Sequence, residues 1–234
     1  MDPIRAEALK RQAAEHALGQ VESGMVVGLG TGSTVAHLLE LLGSRLQSGE
    51  LNDVRGIPTS RWTEAHAARL GIPLATLAEH DRIDLTIDGA DEVAPSVDLI
   101  KGMGGALLRE KMVAQASERV LIIADGSKTV ERLGTLSPLP LEVVSWGHEA
   151  HVRFVGTVGG EASVRRTEEG APYLSDNGNM ILHCRFADGI PDPAALDAAL
   201  RARAGVVETG LFLGLADEAV IASEEGVARI GRNR

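Results

Sequence analysis

The stretch MVVGLGTGSTV, residues 25–35, decides how the chain is read. Met25-Val26-Val27 has the apolar, β-branched character of a buried strand. Three glycines follow at alternate positions, Gly28, Gly30 and Gly32, interleaved with Thr31 and followed by Ser33 and Thr34. From Ser33 the apolar residues fall at helical spacing, at Val35, Leu38, Leu39, Leu42 and Leu46. A strand, a glycine loop and a helix N-terminus in succession turn amides and hydroxyls toward one point, a ready site for an anion. Two nucleotide motifs resemble the stretch and neither fits. A dinucleotide fingerprint needs its third glycine at 33, which is serine, and an acid where the second strand ends, which reads Ile57-Pro58-Thr59-Ser60. A P-loop needs Gly-Lys-Ser/Thr, and no lysine occurs between Lys10 and Lys101. A tight turn with a hydroxyl helix cap accounts for the same letters without a ligand.

Outward from this joint, strand-like and helix-like stretches alternate. Ile4, Leu9, Ala13, Ala17 and Leu18 trace one face of an opening helix. Helices are predicted over 33–46, 60–70 (ended by Gly71) and about 105–117, and strands over 54–58, 83–88 and 120–125. This alternation argues for an α/β fold, a mainly parallel sheet covered on both faces. Past about residue 132 the texture changes. SPLPLEVV, a helix-like stretch over 148–158, and GGEASVRR and MILHCRF around the turn residues Asp176-Asn177-Gly178 suggest a hairpin with helices in a smaller α+β domain. GVVETGLF and EAVIAS read as strands that rejoin the first sheet. The expected division is therefore a main domain of residues 1–132 plus 206–234, with the smaller domain at 133–205 inserted toward the C-terminus.

Composition narrows the partners. The chain has 234 residues, of which 44% are hydrophobic and 24% charged, as in a soluble globular protein. A net charge of −10 argues against general nucleic-acid binding, so a pocket for an anion must supply local positive charge. Cys184 is the sole cysteine, which precludes an internal disulfide and fits a reducing compartment, with the thiol read as a buried, inert group. No apolar run approaches the roughly 18 residues of a membrane span, and the N-terminus mixes acids and bases unlike a signal peptide. The expected setting is cytoplasmic.

Three further stretches carry chemistry. In DGADEV (88–93), Asp88 stands where a parallel strand ends, the edge at which open α/β sheets bind ligands. Asp88 and Asp91 can converge on one polar group across Gly89-Ala90; capping a following helix is the plainer use of such acids. A hard-metal site is a third reading, unsupported by any nearby histidine or regular Asp-x-Asp loop. In IKGMGGALLREK (100–111), Lys101 precedes the loop Gly102-Met103-Gly104, and Glu110 and Lys111 lie about a turn and a half into the helix behind it. A Glu-Lys pair on a helix is ordinarily solvated surface; beside two other glycine-lined strand ends, Glu110 is a candidate for the same cavity. ADGSK (124–128) ends the next strand and puts Lys128 on the same edge.

In this order GLGTGSTV, DGADEV, KGMGGALLREK, ADGSK and SDNGNMIL resemble ribose-5-phosphate isomerase of the A type, as do the opening helix and GIPTS…LGIPL (56–74). Two places depart from the family pattern: Met103, where relatives often have glycine, and His183-Cys184. The resemblance implies a Rossmann-like main domain, interconversion of D-ribose 5-phosphate and D-ribulose 5-phosphate, no metal or other cofactor, no nucleic-acid or membrane partner, and a homodimer or homotetramer. It also implies roles. Glu110 matches the catalytic base, and Asp88, Asp91 and Lys101 match the other polar catalytic residues. Thr31, Gly32, Ser33 and Thr34, Gly89 and Ala90, Gly102, Met103 and Gly104, and Lys128 match substrate-binding segments, and Lys10 matches a lysine associated with the phosphate. The reaction moves a proton between adjacent carbons through an enediolate, which needs one base and fixed donors for the oxyanion.

Overall fold

The structure is a computed structural model and describes residues 2–232. In chain order it begins with α1 (Pro3–Leu18), β1 (Val26–Leu29), α2 (Ser33–Ser48), β2 (Arg55–Pro58), α3 (Arg61–Arg69) and β3 (Leu85–Gly89). Next come β4 (Glu92–Val93), β5 (Leu99–Ile100), α4 (Leu107–Gln115), β6 (Val120–Asp125) and a 3₁₀ turn at Gly126–Lys128. The remainder is β7 (Leu139–Val143), α5 (Glu149–Thr157), β8 (Glu161–Val164), β9 (Met180–Arg185), α6 (Pro193–Arg201), β10 (Val206–Thr209), β11 (Leu211–Phe212), β12 (Glu218–Ser223) and β13 (Gly226–Gly231). These elements cluster as two compact units. One comprises residues 2–90, 109–128 and 214–232, the other residues 91–108 and 129–213. Among the described residues no helix is long and apolar enough to cross a membrane.

The first unit is built on a six-stranded sheet of order β13-β12-β6-β3-β1-β2. The five strands from β12 to β2 run parallel and β13 is antiparallel to β12. Val120–Asp125 is buried at every position, the signature of a parallel strand covered on both faces. Helix α2 buries Val35, Leu38, Leu39 and Leu42, and Gly49 ends it in the left-handed conformation at φ 76°. Helix α1 starts on Pro3 with Asp2 accepting from the Ile4 amide, and buries Leu9, Ala13, Ala14, Ala17 and Leu18. Ile4, expected on that buried face, is 80% exposed, and burial along the helix begins only at Leu9. The chain passes from β1 to β2 on one side and then to β3 on the other. The carboxyl ends of β1 and β3 thus flank a switch point of the sheet.

The second unit holds two smaller sheets, β10-β7-β9-β8 and β11-β5-β4, all antiparallel. MILHCRF pairs with GGEASVRR as a hairpin-like ladder around the 176–178 turn, in the expected sense. GVVETGLF does not rejoin the first sheet. Its two halves become β10 and β11, bonded to β7 and β5, and EAVIAS alone returns to the parallel sheet as β12. Cys184 is buried here, and burial pushes its thiol up to about 12, consistent with an inert group.

Candidate active site

Gly28 and Gly30 are required by neighbouring side chains. A Cβ on Gly28 would lie 1.8 Å from Thr86 Oγ1, and one on Gly30 would lie 2.1 Å from Asp88 Oδ1. The two glycines thus let β3 bring Thr86 and Asp88 against β1. Gly32 differs: its φ of 125° excludes most side chains, and a Cβ there would meet no atom within 4 Å. It caps α2 without any side-chain hydrogen bond, so the first-turn amides of that helix are left to another partner. Gly30→Ala is expected to destabilise the fold by about 1–3 kcal/mol through overpacking and to reduce activity with it. A variant with an unchanged urea midpoint would contradict the close approach.

The 31–34 loop and Asp88 are in direct contact. Asp88 is 2% exposed, and its Oδ1 accepts from the amides of Thr31 at 3.0 Å and Gly89 at 2.7 Å. Thr31 Oγ1 turns inward toward Thr59 at 2.7 Å, Ser60 at 2.8 Å and Thr63 at 3.0 Å. The hydroxyls of Ser33 and Thr34 have no such partners among the described residues; Ser33 is exposed and Thr34 half-buried. Gly89 and Ala90 continue the same edge, and the half-buried Lys128 ends the 3₁₀ turn after β6, the strand next to β3. Lys10, on α1, bonds Glu7 at 2.6 Å, and the same carboxylate meets His37 of α2 at 3.0 Å. The Lys10 bond, and then that of His37, holds the Glu7 carboxyl below its usual range. Among the described residues neither Lys10 nor Lys128 bonds the 31–34 loop or Asp88.

Glu110 and Lys111, which surface statistics would place in solvent, are 4% and 2% exposed on α4. Glu110 stands in the first turn of that helix, and its unit is that of Asp88.

In the second unit, β4 and β5 pair with Glu92 opposite Ile100, and the Asp91 amide donates to the Ile100 carbonyl at 2.8 Å. Asp91 and Lys101 therefore leave neighbouring strands of the β11-β5-β4 sheet side by side. Lys101 is 3% exposed, its amide bonds the Gly210 carbonyl, and its ammonium lies 5.4 Å from the centre of the Phe212 ring. Asp91 Oδ2 accepts the Met103 amide at 2.9 Å and the Gly105 amide bonds Gly102 at 2.8 Å, while Tyr173 donates its hydroxyl to the Gly104 carbonyl at 3.2 Å. The amides of Gly102 and Gly104 are left without an acceptor among the described residues. Met103 is thus held in the loop through its backbone amide.

Sequence reasoning passed over several polar groups. Glu92 is fully buried and accepts the amides of Gly134, Leu136 and Ser137, each at 2.6 Å. Glu142, also buried, takes Ser175, Asn177 and Asn179 of SDNGN at 2.7, 3.2 and 2.9 Å. Thr59, Ser60 and Thr63 close on Thr31. The only advance signal was the presence of these residues within motif-like stretches. Among the described residues no three His, Cys, Asp or Glu are grouped to hold a metal.

Residues 55–226 match the family Ribose 5-phosphate isomerase A (phosphoriboisomerase A). The chain is 52% identical to ribose-5-phosphate isomerase A of Roseiflexus castenholzii, over 94% of each protein. To that of Chloroflexus aurantiacus it is 50% identical, over 98% of this chain and 96% of the relative. Among solved structures it is similar to ribose 5-phosphate isomerase from Plasmodium falciparum, at 38% identity and a TM-score of 0.94, over 97% of this chain and all (100%) of the other. A D-ribose-5-phosphate isomerase in complex with phospho-erythronic acid matches at 37% identity and a TM-score of 0.94, over 97% and 99% of the two chains. With a glycine loop and uncapped helix at the sheet's switch point and agreement along nearly its whole length, the chain belongs to the ribose 5-phosphate isomerase A family, enzymes that interconvert ribose 5-phosphate and ribulose 5-phosphate.

Proposed function

We propose that Glu110 is the base of this isomerisation, shuttling a proton between C1 and C2 of the open-chain sugar through an enediolate. What supports this reading is the near-complete burial of a first-turn carboxylate in a family whose chemistry demands one base. Lys101 and the unengaged amides of Gly102 and Gly104 supply fixed donors for the oxyanion that develops between C1 and C2. Asp88 or Asp91 assists opening of the furanose ring, which must precede proton abstraction. The uncapped first turn of α2, with the Ser33 and Thr34 hydroxyls and Gly32, binds an oxygen-rich part of the sugar phosphate. Gly89, Ala90 and Met103 contribute backbone, and Lys128 and Lys10 add the positive charge that a net charge of −10 requires near an anion. The phospho-erythronic acid bound by one relative is a sugar-acid phosphate. Its carboxylate shares the planar, two-oxygen shape of an enediolate, which favours a site built for that intermediate.

A proton-transfer route leaves a label. Reaction in D₂O is expected to place deuterium on C1 of the ketose or C2 of the aldose, in part, because the transient carboxylic acid exchanges with solvent in competition with internal return. Treatment with a chelator is expected to leave the rate unchanged. Lost activity that returns with added metal, together with no solvent label on carbon, is the signature of a metal-assisted hydride shift. That result would overturn the enediolate assignment.

A further inference from the structure

We propose that Thr59, Ser60 and Thr63 are positioning residues for the isomerisation, acting through Thr31 to hold the Gly30–Thr34 loop in its binding shape. The proposal rests on the reading of that loop as part of the substrate site. It begins from a count of hydroxyl protons. Thr59 Oγ1 donates to the Leu29 carbonyl at 3.0 Å and Thr63 Oγ1 to the Gly30 carbonyl at 2.8 Å. Ser60 Oγ donates to Thr63 Oγ1 at 2.9 Å and accepts the Thr63 amide at 3.0 Å. Each hydroxyl has one proton, so Thr59, Ser60 and Thr63 have none to offer Thr31. Thr31 can therefore act only as the donor within this cluster, its one proton serving Ser60 at 2.8 Å or, by rotation, Thr59 at 2.7 Å or Thr63 at 3.0 Å. Its single proton is committed inward.

Two consequences follow. Thr31 Oγ1 can meet a ligand only as an acceptor, so it cannot donate to a phosphate oxygen. The Gly30 amide is spent on the Ile87 carbonyl and the Thr31 amide on Asp88, so the donors left to the loop are the amides of Gly32, Ser33 and Thr34 and the Ser33 and Thr34 hydroxyls. The carbonyls of Leu29 and Gly30 and the side chain of Thr31, three successive residues at the end of β1, are each held by this cluster. The Thr31 amide is held from the opposite side by Asp88. The loop is thus pinned between the start of α3 and the end of β3, and the next residue, Gly32, begins the uncapped turn of α2.

Close packing of four small side chains is the plainer account, and substitution separates the two. Thr63→Val keeps the shape and removes the hydroxyl; Thr63→Ser keeps the hydroxyl and removes a methyl group. Loss of the hydroxyl leaves the Gly30 carbonyl without its donor and the Ser60 hydroxyl without its acceptor, and removes one of the three contacts of Thr31. Thr63→Val is therefore expected to raise KM for ribose 5-phosphate about tenfold with kcat changed less than about threefold, and Thr63→Ser to restore KM to within about twofold. Thr31→Val is expected to raise KM similarly, and the Thr31→Val/Thr63→Val pair to be little worse than either alone, since both act through one contact. If Thr63→Val does not fold, Thr31→Val against Thr31→Ser carries the same comparison. An unchanged KM in the valine variants, or a serine variant as impaired as the valine, overturns the proposal. Ser33→Ala and Thr34→Val, measured alongside, test the underlying reading: a raised KM there with none in Thr63→Val rejects the positioning role alone. No change in Ser33→Ala or Thr34→Val rejects the loop as a substrate site.

Discussion

Replacement of Glu110 by glutamine is expected to lower kcat at least ~10²-fold, with KM changed far less and the melting temperature near that of the parent. The amide keeps the shape of the carboxylate and cannot take a proton, so the loss falls on the chemical step. Burial sharpens the test: at 4% exposure Glu110 is not a solvated surface group whose removal would pass unnoticed. Steady-state kinetics on ribose 5-phosphate, with a thermal melt as the folding control, decide it. A glutamine variant with near-parental kcat would assign proton transfer to another group.

Lys101→Ala is expected to raise the barrier by about 3 kcal/mol, roughly 150-fold in kcat. A lysine on the surface would be worth little in either kcat or KM. Lys101 is instead 3% exposed, fixed at the end of β5 by the Gly210 carbonyl, with its ammonium over Phe212. Lys101→Met separates charge from volume, because it retains most of the apolar stem. If the ammonium stabilises the enediolate, both variants lose kcat alike. If KM rises while kcat holds, the lysine grips the phosphate and leaves the oxyanion to the Gly102 and Gly104 amides.

Much of the architecture is legible before any coordinates. The wholly apolar VLIIA before Asp125 and the alternation of such runs with amphipathic helices point to a buried parallel sheet, and β6 and α2 start where periodicity puts them. Partner choice is less legible. GVVETGLF has the composition of a strand in any sheet, and only pairing across some sixty residues of chain, Val206 with Val143, decides which sheet it joins. The two-residue strands β4, β5 and β11 are too short to carry a period at all.

The candidate site divides along the same line. Asp88, Lys101 and Glu110 stand out because motif spacing marks residues at the ends of strands and starts of helices. Thr59, Ser60 and Thr63 do not, because a hydroxyl in such a place reads as a helix cap. Ser60 is indeed one, accepting the Thr63 amide. Their second use depends on Thr31, about thirty residues away. The glycines misdirect for a related reason. Gly28 and Gly30 look like room made for a ligand, and they are room made for Thr86 and Asp88.

Glu92 has a consequence for how this sequence can drift over evolutionary time. Its carboxylate is met by three N–H groups from Gly134, Leu136 and Ser137, so the position needs an acceptor and nothing else. Glutamine, the closest match in outline, turns an N–H₂ toward one of those amides, while aspartate is a methylene too short to span all three. Proline at 134, 136 or 137 would delete a donor and strand buried negative charge. Two stretches separated by 42 to 45 residues are therefore bound to change together or not at all. Ordinary measures of amino-acid likeness, which score each position alone, have no means of expressing that dependence.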